Sequence, residues 1–359
     1  MIRALFFICL LFSASFIYAA PGDTSRLKLV FAGDLMGHDG QISSAFDADL
    51  NKYNYDTCFS EIRDFVSQAD IAFVNFEVTL AGPPFKGYPQ FSSPDELAEE
   101  AQEAGFDVFL MANNHCLDRG RKGLERTVSC LDSLGIIHTG TFTDSMKREA
   151  EYPLIIEKNN FRLAILNYTY GTNGLKVTGT NIVNFIDTSI IAADLAKAET
   201  AAPDFIIATM HWGSEYQTTE NDEQKKMADF LFKHGADIII GSHPHVIQPI
   251  RQYRCESDTS INKIVVYSLG NFISNQRERY RNGGLVFELN LEKTDTTRVS
   301  NFETYPVYVH KALSGKSALH FVLLPANDFE SMVQKYSMSP EDKEKFKVFR
   351  DDTKMKLSE

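Results

Sequence analysis

Six short polar motifs recur along this 359-residue chain, most of them closing an apolar, strand-like run. They are Gly33-Asp34 after LKLVFA, Asn75-Phe76-Glu77 after DIAFV, and Asn113-Asn114-His115 after DVFLMA. Then come His211-Trp212-Gly213 after DFIIATM, Gly241-Ser242-His243-Pro244-His245 after DIII, and Ser268-Leu269-Gly270-Asn271-Phe272 after KIVVY. Imidazole nitrogen suits zinc, iron, nickel or manganese, while carboxylate and amide oxygens suit harder ions. A mixed set without thiolate fits two adjacent transition-metal ions bridged by a carboxylate and hydroxide. Four of the nine histidines fall inside the motifs, where chance would scatter them. Singly, each element has an ordinary reading: Asp34 as a turn cap, Glu77 as a surface charge, Asn114 as a turn residue. Together they point to a metal-centred hydrolytic site, because strand ends in layered α/β proteins converge on one edge.

For the motifs to meet, the chain must fold in layers. From about Leu27 to about Leu291, strand-like runs alternate with helical ones. Ser93-Pro94-Asp95-Glu96 reads as a helix start, with Ser93 as N-cap and Glu96 closing a capping box, and Gly105 ends that helix. Lys122 to Leu134, closed by Gly135, reads as the next helix. Met227, Phe230, Leu231 and His234 share a face of another, with Gly235 past its end, so His234 is a helix-terminal residue rather than a ligand. YPLII and FRLAILNYTY form a hairpin whose second strand is apolar on both faces, whereas GGLVFELNLE alternates as a half-buried strand does. Both kinds in one chain predict two packed mixed sheets with helices outside. In an extended segment His243 and His245 share a face, and Pro244 stiffens the link between them.

Residues 1–19 (one early charge, Arg3, an apolar run, then small residues) read as a secretory signal peptide, with an uncleaved anchor as the alternative. The protein is therefore expected to be exported, and periplasmic or held at the cell envelope. The remaining cysteines, Cys58, Cys116, Cys130 and Cys255, include no C-x-x-C pair, which disfavours thiolate zinc and thioredoxin-like chemistry. The net charge of −12 becomes −13 without Arg3 and argues against a nucleic-acid partner. Against that acidity, two basic runs follow motif loops: Arg119, Arg121 and Lys122, then Arg277, Arg279 and Arg281. They read as an anion-binding rim or as solvated loop charge. Trp212, the only tryptophan, is a wall of the site or a core residue.

FAGDLM, VNFEVTL, ANNHCLDRG, MHWGSEY, IIGSHPHVIQP and YSLGNFI, in that order, resemble the motifs of bacterial CapA-type capsule-synthesis proteins. That family is associated with poly-γ-glutamate capsules and is related to the calcineurin-like metallophosphoesterases. The resemblance implies a four-layer αββα, metallophosphatase-like fold over residues 27–291, with residues 292–359 as C-terminal strands and a helix docked on it. It implies two divalent ions (manganese, zinc or iron): the first on Asp34 and His245, the second on Asn114, His211 and His243, with Glu77 bridging. His115 would be the catalytic acid. By their places in or beside the motif loops, Asn113, Arg119, Asn271, Arg277 and Arg279 are the candidates to meet the substrate, an anionic polymer or phosphoester. Membrane-bound capsule machinery is the implied partner. Where metallophosphoesterases place a ligating histidine two residues after the first aspartate, this chain has Met36, so His38, Asp39 or water must substitute. Three functions are compatible with this reading: a capsule-assembly hydrolase, a non-catalytic polymer-binding subunit, or a general periplasmic phosphatase or nucleotidase.

Overall fold

The computed structural model describes residues 24–254, 261–314 and 318–358. The expected export segment and Cys255 lie outside the described residues. Fourteen strands join in one continuous mixed sheet. They are β1 (Ser25–Leu35), β2 (Ile71–Phe76), β3 (Val108–Leu110), β4 (Ile137–Thr139), β5 (Leu154–Lys158), β6 (Phe161–Thr169) and β7 (Phe205–His211). The rest are β8 (Ile238–Ser242), β9 (Ile250–Arg254), β10 (Ile261–Val266), β11 (Asn271–Ile273), β12 (Gly283–Lys293), β13 (Thr297–Ser314) and β14 (Ala318–Pro325). The path runs β4-β3-β2-β1-β12-β13-β10-β8-β7-β6-β5, with β9 beside β10, β11 beside β1 and β14 beside β13. Within each half the motif-bearing strands are parallel, so their C-terminal ends lie on one edge.

Side-chain parity shows how the sheet doubles over. Leu29 and Phe31 of β1, Phe73 of β2, Ile165 of β6, Ile207 of β7 and Ile240 of β8 belong to one buried cluster between the halves. The alternate residues Val30, Ala32, Ala72 and Val74 share a second cluster with Leu97 and Ala101 of α1 (Glu96–Glu103) and Leu131 of α2 (Gly120–Leu134). Leu166, Ile206, Ala208 and Ile239 share a third with Leu195 of α3 (Thr188–Thr200) and Leu231 of α4 (Asp222–Lys233). Three apolar interfaces therefore separate four layers, α-β-β-α. Each large side chain withdrawn from water contributes roughly 1.5–3 kcal/mol, so this alternation decides which face goes where.

Two local expectations need correction. Ser93 is not a cap: α1 begins after Asp95, whose carboxylate instead takes Arg126 at 2.7 Å through both oxygens. Ser93 is held against the loop after β1, where a Cβ on Gly37 would fall 2.0 Å from its Oγ. Nor is β12 half-buried throughout. Gly283 to Leu289 are all buried, because β12 runs between β1 and β13 and is covered on both faces. The helix ends at Gly135 and Gly235 match expectation, with φ of 70° and 101° that glycine adopts without strain. α5 (Phe329–Lys335) and α6 (Pro340–Leu357) bring Phe329, Phe346 and Phe349 into the central cluster.

Candidate metal centre

One extra residue aims the first carboxylate. Along β1 and β2, Phe31 pairs with Phe73 and Ala32 with Val74, but Asp34 then pairs with Asn75, leaving Gly33 as a bulge. Without it Asp34 would face the helices; with it Asp34 turns to the inner side and Leu35 takes the outer one. Only glycine fits the bulge, since a Cβ there would lie 2.0 Å from the Gly270 carbonyl oxygen.

Asp34, Glu77, Asn114, His211, His243 and His245 converge at this edge, and all are buried. Asn75 Nδ2 bridges the two carboxylates, donating to Asp34 Oδ1 at 2.8 Å and Glu77 Oε2 at 3.2 Å. His211 Nε2 lies 2.9 Å from Asn114 Oδ1 and 3.7 Å from Glu77 Oε1. His245 Nδ1 lies 3.0 Å from Asp34 Oδ2 and 3.1 Å from Asn271 Oδ1. Two ligand groups emerge, Asp34–Glu77–His211 and Glu77–His243–His245, each with its ligand atoms within 4.8 Å of one another. Glu77 is common to both. The His-Pro-His segment is not extended as expected: His243 has φ 99° and His245 φ 58°. Left-handed backbone at a β-carbon residue costs about 1–3 kcal/mol and persists only where surroundings enforce it.

The electrostatics are those of a site suited to cations. Burial, followed by the Asp34 charge, pushes the Glu77 carboxyl well above its ordinary 4.5. Burial, followed by the neighbouring imidazoles, holds His211 well below its ordinary 6.5. His243 is held down to about 3 for the same reason, burial first and then His245. Glu77 Oε1 and His243 Nδ1 are buried without a hydrogen-bond partner. Orphaned buried acceptors of this kind cost roughly 1–3 kcal/mol each, and coordination would satisfy both. The donor set of carboxylates, imidazoles and one amide fits divalent transition metals.

Met36 points away, into the helix-side core. His38 sits close enough to His115 and His245 to feel their charges and is pushed down to about 4, chiefly by burial. Asp39 Oδ1 accepts from Gly87 N at 2.7 Å and so is engaged elsewhere. Trp212 is a core residue, buried, with Nε1 donating to the Tyr267 carbonyl at 2.9 Å.

Residues 28–276 match the family described as bacterial capsule synthesis protein PGA_cap. The chain belongs to this family. Its relatives include a PGA biosynthesis protein CapA of Bacillus subtilis (strain 168), 28% identical over 319 residues, covering 83% of this chain and 78% of that protein. A capsule biosynthesis protein CapA of Bacillus anthracis is 26% identical over 269 residues, which cover 71% of this chain and 61% of that protein. Among solved structures, similarity extends to an NAD nucleotidase of Haemophilus influenzae (11% identity, TM-score 0.49, 91% of this chain and 62% of that one). A calcineurin-like phosphoesterase of Bacillus subtilis is likewise similar (16% identity, TM-score 0.44, 91% and 99%).

In this PGA_cap chain the expected substrate contacts divide. Asn113 is fully engaged, its Nδ2 on the Phe76 carbonyl at 2.9 Å and its Oδ1 accepting from His115 N at 3.1 Å, so it braces the loop. Asn271 orients His245 rather than facing outward, and its Nδ2 donates to the Arg281 carbonyl at 2.7 Å. Arg277 donates to the Val309 carbonyl at 2.7 Å, and Arg279 forms a two-pronged pair with Asp352 of α6. Both are committed to the C-terminal elements instead of the rim. Arg119 Nη2 reaches the Pro84 carbonyl at 3.5 Å. Arg121 pairs with Glu125 at 2.7 Å, and Lys122 is exposed.

Three contributors were not singled out in the sequence. Asp118 holds His115 Nδ1 at 2.8 Å; its H-x-x-D spacing is a usable signal. Asn75 lies within a quoted motif but in an unremarkable type. Tyr170, whose ring centroid is 4.4 Å from that of His243, carries no local sequence signal.

Proposed function

We propose that this protein is an exported, metal-dependent hydrolase of the phosphoesterase type. It works in assembly of an anionic capsule polymer of the poly-γ-glutamate kind, on a phosphoester or peptide-like bond. The observation that carries this reading is the place of Glu77 in two buried ligand groups with Oε1 left unpartnered. The names of the Bacillus relatives support the polymer context. The character of residues 1–19 supports export.

Asp34, Glu77, Asn114, His211, His243 and His245 would hold two divalent ions, which when bound would polarise a phosphoryl or carbonyl oxygen and supply hydroxide at neutral pH. The remaining work belongs to the chain's own groups. Asp118 fixes His115 through Nδ1, leaving Nε2 to hold a proton and deliver it to a leaving oxygen. The Phe91 ring, 4.6 Å from that of His115 and edge-on, excludes water from one side. Asn75 keeps the two carboxylates in register.

A second reading is a polymer-binding accessory subunit that does not cleave. The burial of Met36 in the core, away from the cluster, favours it. A probable polyglutamine synthesis accessory protein of Mycobacterium tuberculosis, 26% identical over 179 residues, also bears a name in keeping with it. Metal analysis of the purified protein, then phosphodiester and peptide hydrolysis by wild type and His115→Ala, separates the two. The hydrolase reading expects bound metal in both proteins and a rate at least about 100-fold lower in the variant. Metal-free protein, or equal rates, would leave the accessory reading standing.

A further inference from the structure

Resting on the metal-centre reading, we propose that Arg281, stacked on Tyr216, is a binding site for a carboxylate carried by the molecule that reaches the cluster. The Arg281 guanidinium carbon lies 4.1 Å from the centroid of the Tyr216 ring. That ring is in turn 6.1 Å from the ring of His245. The cation thus stands one aromatic ring away from a ligand histidine.

Its position is fixed by two routes. The Arg281 carbonyl accepts from Asn271 Nδ2 at 2.7 Å, and Asn271 Oδ1 meets His245 Nδ1 at 3.1 Å. Tyr216 N donates to the Pro244 carbonyl at 2.8 Å, inside the His-Pro-His segment. Tyr216 holds φ 66°, a left-handed conformation that its surroundings must enforce. Tyr216 is 43% exposed, so this rim is open to solvent.

The guanidinium is available for a ligand. Its nearest ion pair is Glu278 at 3.6 Å, the Arg281 side chain being 25% exposed and that of Glu278 61%. A pair this long, with its carboxylate in solvent, holds weakly and is readily replaced. The neighbouring arginines, by contrast, are spent on Val309 and Asp352. A guanidinium with one face on an aromatic ring still offers its edge as a two-pronged fork, which matches one planar carboxylate. In a chain of net charge −12, with Glu215 next to Tyr216, an anionic ligand needs such a fixed cation to approach.

The test is calorimetric titration of a γ-linked glutamate hexamer into metal-loaded protein: wild type, Arg281→Gln, Arg281→Lys, Tyr216→Leu and Arg26→Gln as a remote control. Arg281→Gln should weaken binding by at least about tenfold, the loss of one charge-assisted contact. Arg281→Lys should recover only part of it, and Tyr216→Leu should fall between. Metal content and thermal midpoint should stay at wild-type values, because the Asn271 contact uses the Arg281 backbone. Equal hexamer affinity in wild type and Arg281→Gln, or no hexamer binding by wild type, would overturn the proposal. So would an Arg281-dependent affinity seen for inorganic phosphate alone. Hexamer binding that depends on Arg281 in a protein without metal would uphold the carboxylate site and remove the metal reading beneath it. Bound metal and hydrolysis with Arg281-independent hexamer affinity would do the reverse.

Discussion

His115 Nδ1 lies 2.8 Å from Asp118 Oδ2, three residues further along the same loop, and both side chains are buried. The same oxygen accepts the backbone N–H of Phe91 at 2.7 Å, so the carboxylate is pinned from two sides. It holds the imidazole by one nitrogen and frees the other for proton transfer. Asp118→Asn keeps the shape, but its single amide oxygen replaces a charged acceptor and its NH2 cannot accept at all. The expected result is kcat lowered by about 100-fold with metal content unchanged. In the double variant with His115→Ala, the asparagine should add almost nothing further. A full additional loss there would show that Asp118 acts independently of His115.

Asn75 donates one amide group to both carboxylates of the cluster, at 2.8 Å and 3.2 Å. Two acidic groups this close repel, and the amide offsets that while setting their orientation. Asn75→Ala should therefore weaken metal binding by about 10–100-fold, the usual scale for losing an orienting partner of a ligand. Competition with a chelating dye measures it. An affinity within twofold of wild type would rule out an orienting role.

Much of this was legible in the sequence because strand alternation and polar strand ends follow from the same requirement. Apolar runs must be buried, and a buried run can place polar groups only where it ends. Hence the strand-end motifs that carry Asp34, Glu77, Asn114, His211, His243 and His245 are visible in the sequence, and the fold brings these six side chains to one edge. The twist of the His-Pro-His segment is not visible there, since a left-handed φ at histidine reflects enforcement by the whole edge. The pairing of Arg279 is hidden from the sequence for a related reason: its partner, Asp352, lies 73 residues away. A capping-box pattern at Ser93 likewise lost to a tertiary contact, the approach of Gly37. Tyr170 enters the site by fold alone, whereas Tyr216 closes the MHWGSEY motif without a residue type that marks it.

Gly33 offers a test of the bulge. A methyl group at this position would meet the Gly270 carbonyl oxygen at 2.0 Å, and that carbonyl also accepts from Asp34 N at 3.0 Å. Gly33→Ala must push the two segments apart, at a cost of about 1–3 kcal/mol, the scale of overpacking a tight contact. Urea unfolding of the metal-free variant should show a lowered midpoint with an unchanged slope. Because the displaced bond belongs to Asp34, metal affinity should fall as well. A variant with wild-type stability would mean that the backbone relaxes without consequence.

The pH dependence of the centre follows from opposite displacements of its carboxyl and imidazole groups. Glu77 in the metal-free fold sits well above its ordinary 4.5, with burial as the leading cause. Its proton thus favours the fold below 4.5, and that contribution is lost as pH rises from there through the raised value. His211 is displaced downward from 6.5 and His243 to about 3, so both are neutral at pH 7, and their cost appears only as pH falls below 6.5. Metal uptake needs an ionised Glu77 and neutral histidines. Metal uptake should then be accompanied by proton release from Glu77, and that release should grow as pH is lowered toward the raised value, with none drawn from the imidazoles at neutral pH. Calorimetric titration of metal in two buffers of different ionisation enthalpy counts that proton. Glu77→Gln should release fewer protons than wild type at the same pH and should stabilise the metal-free protein at pH 7, since it removes a buried carboxyl. Proton release undiminished in Glu77→Gln would place the titrating group elsewhere in the cluster.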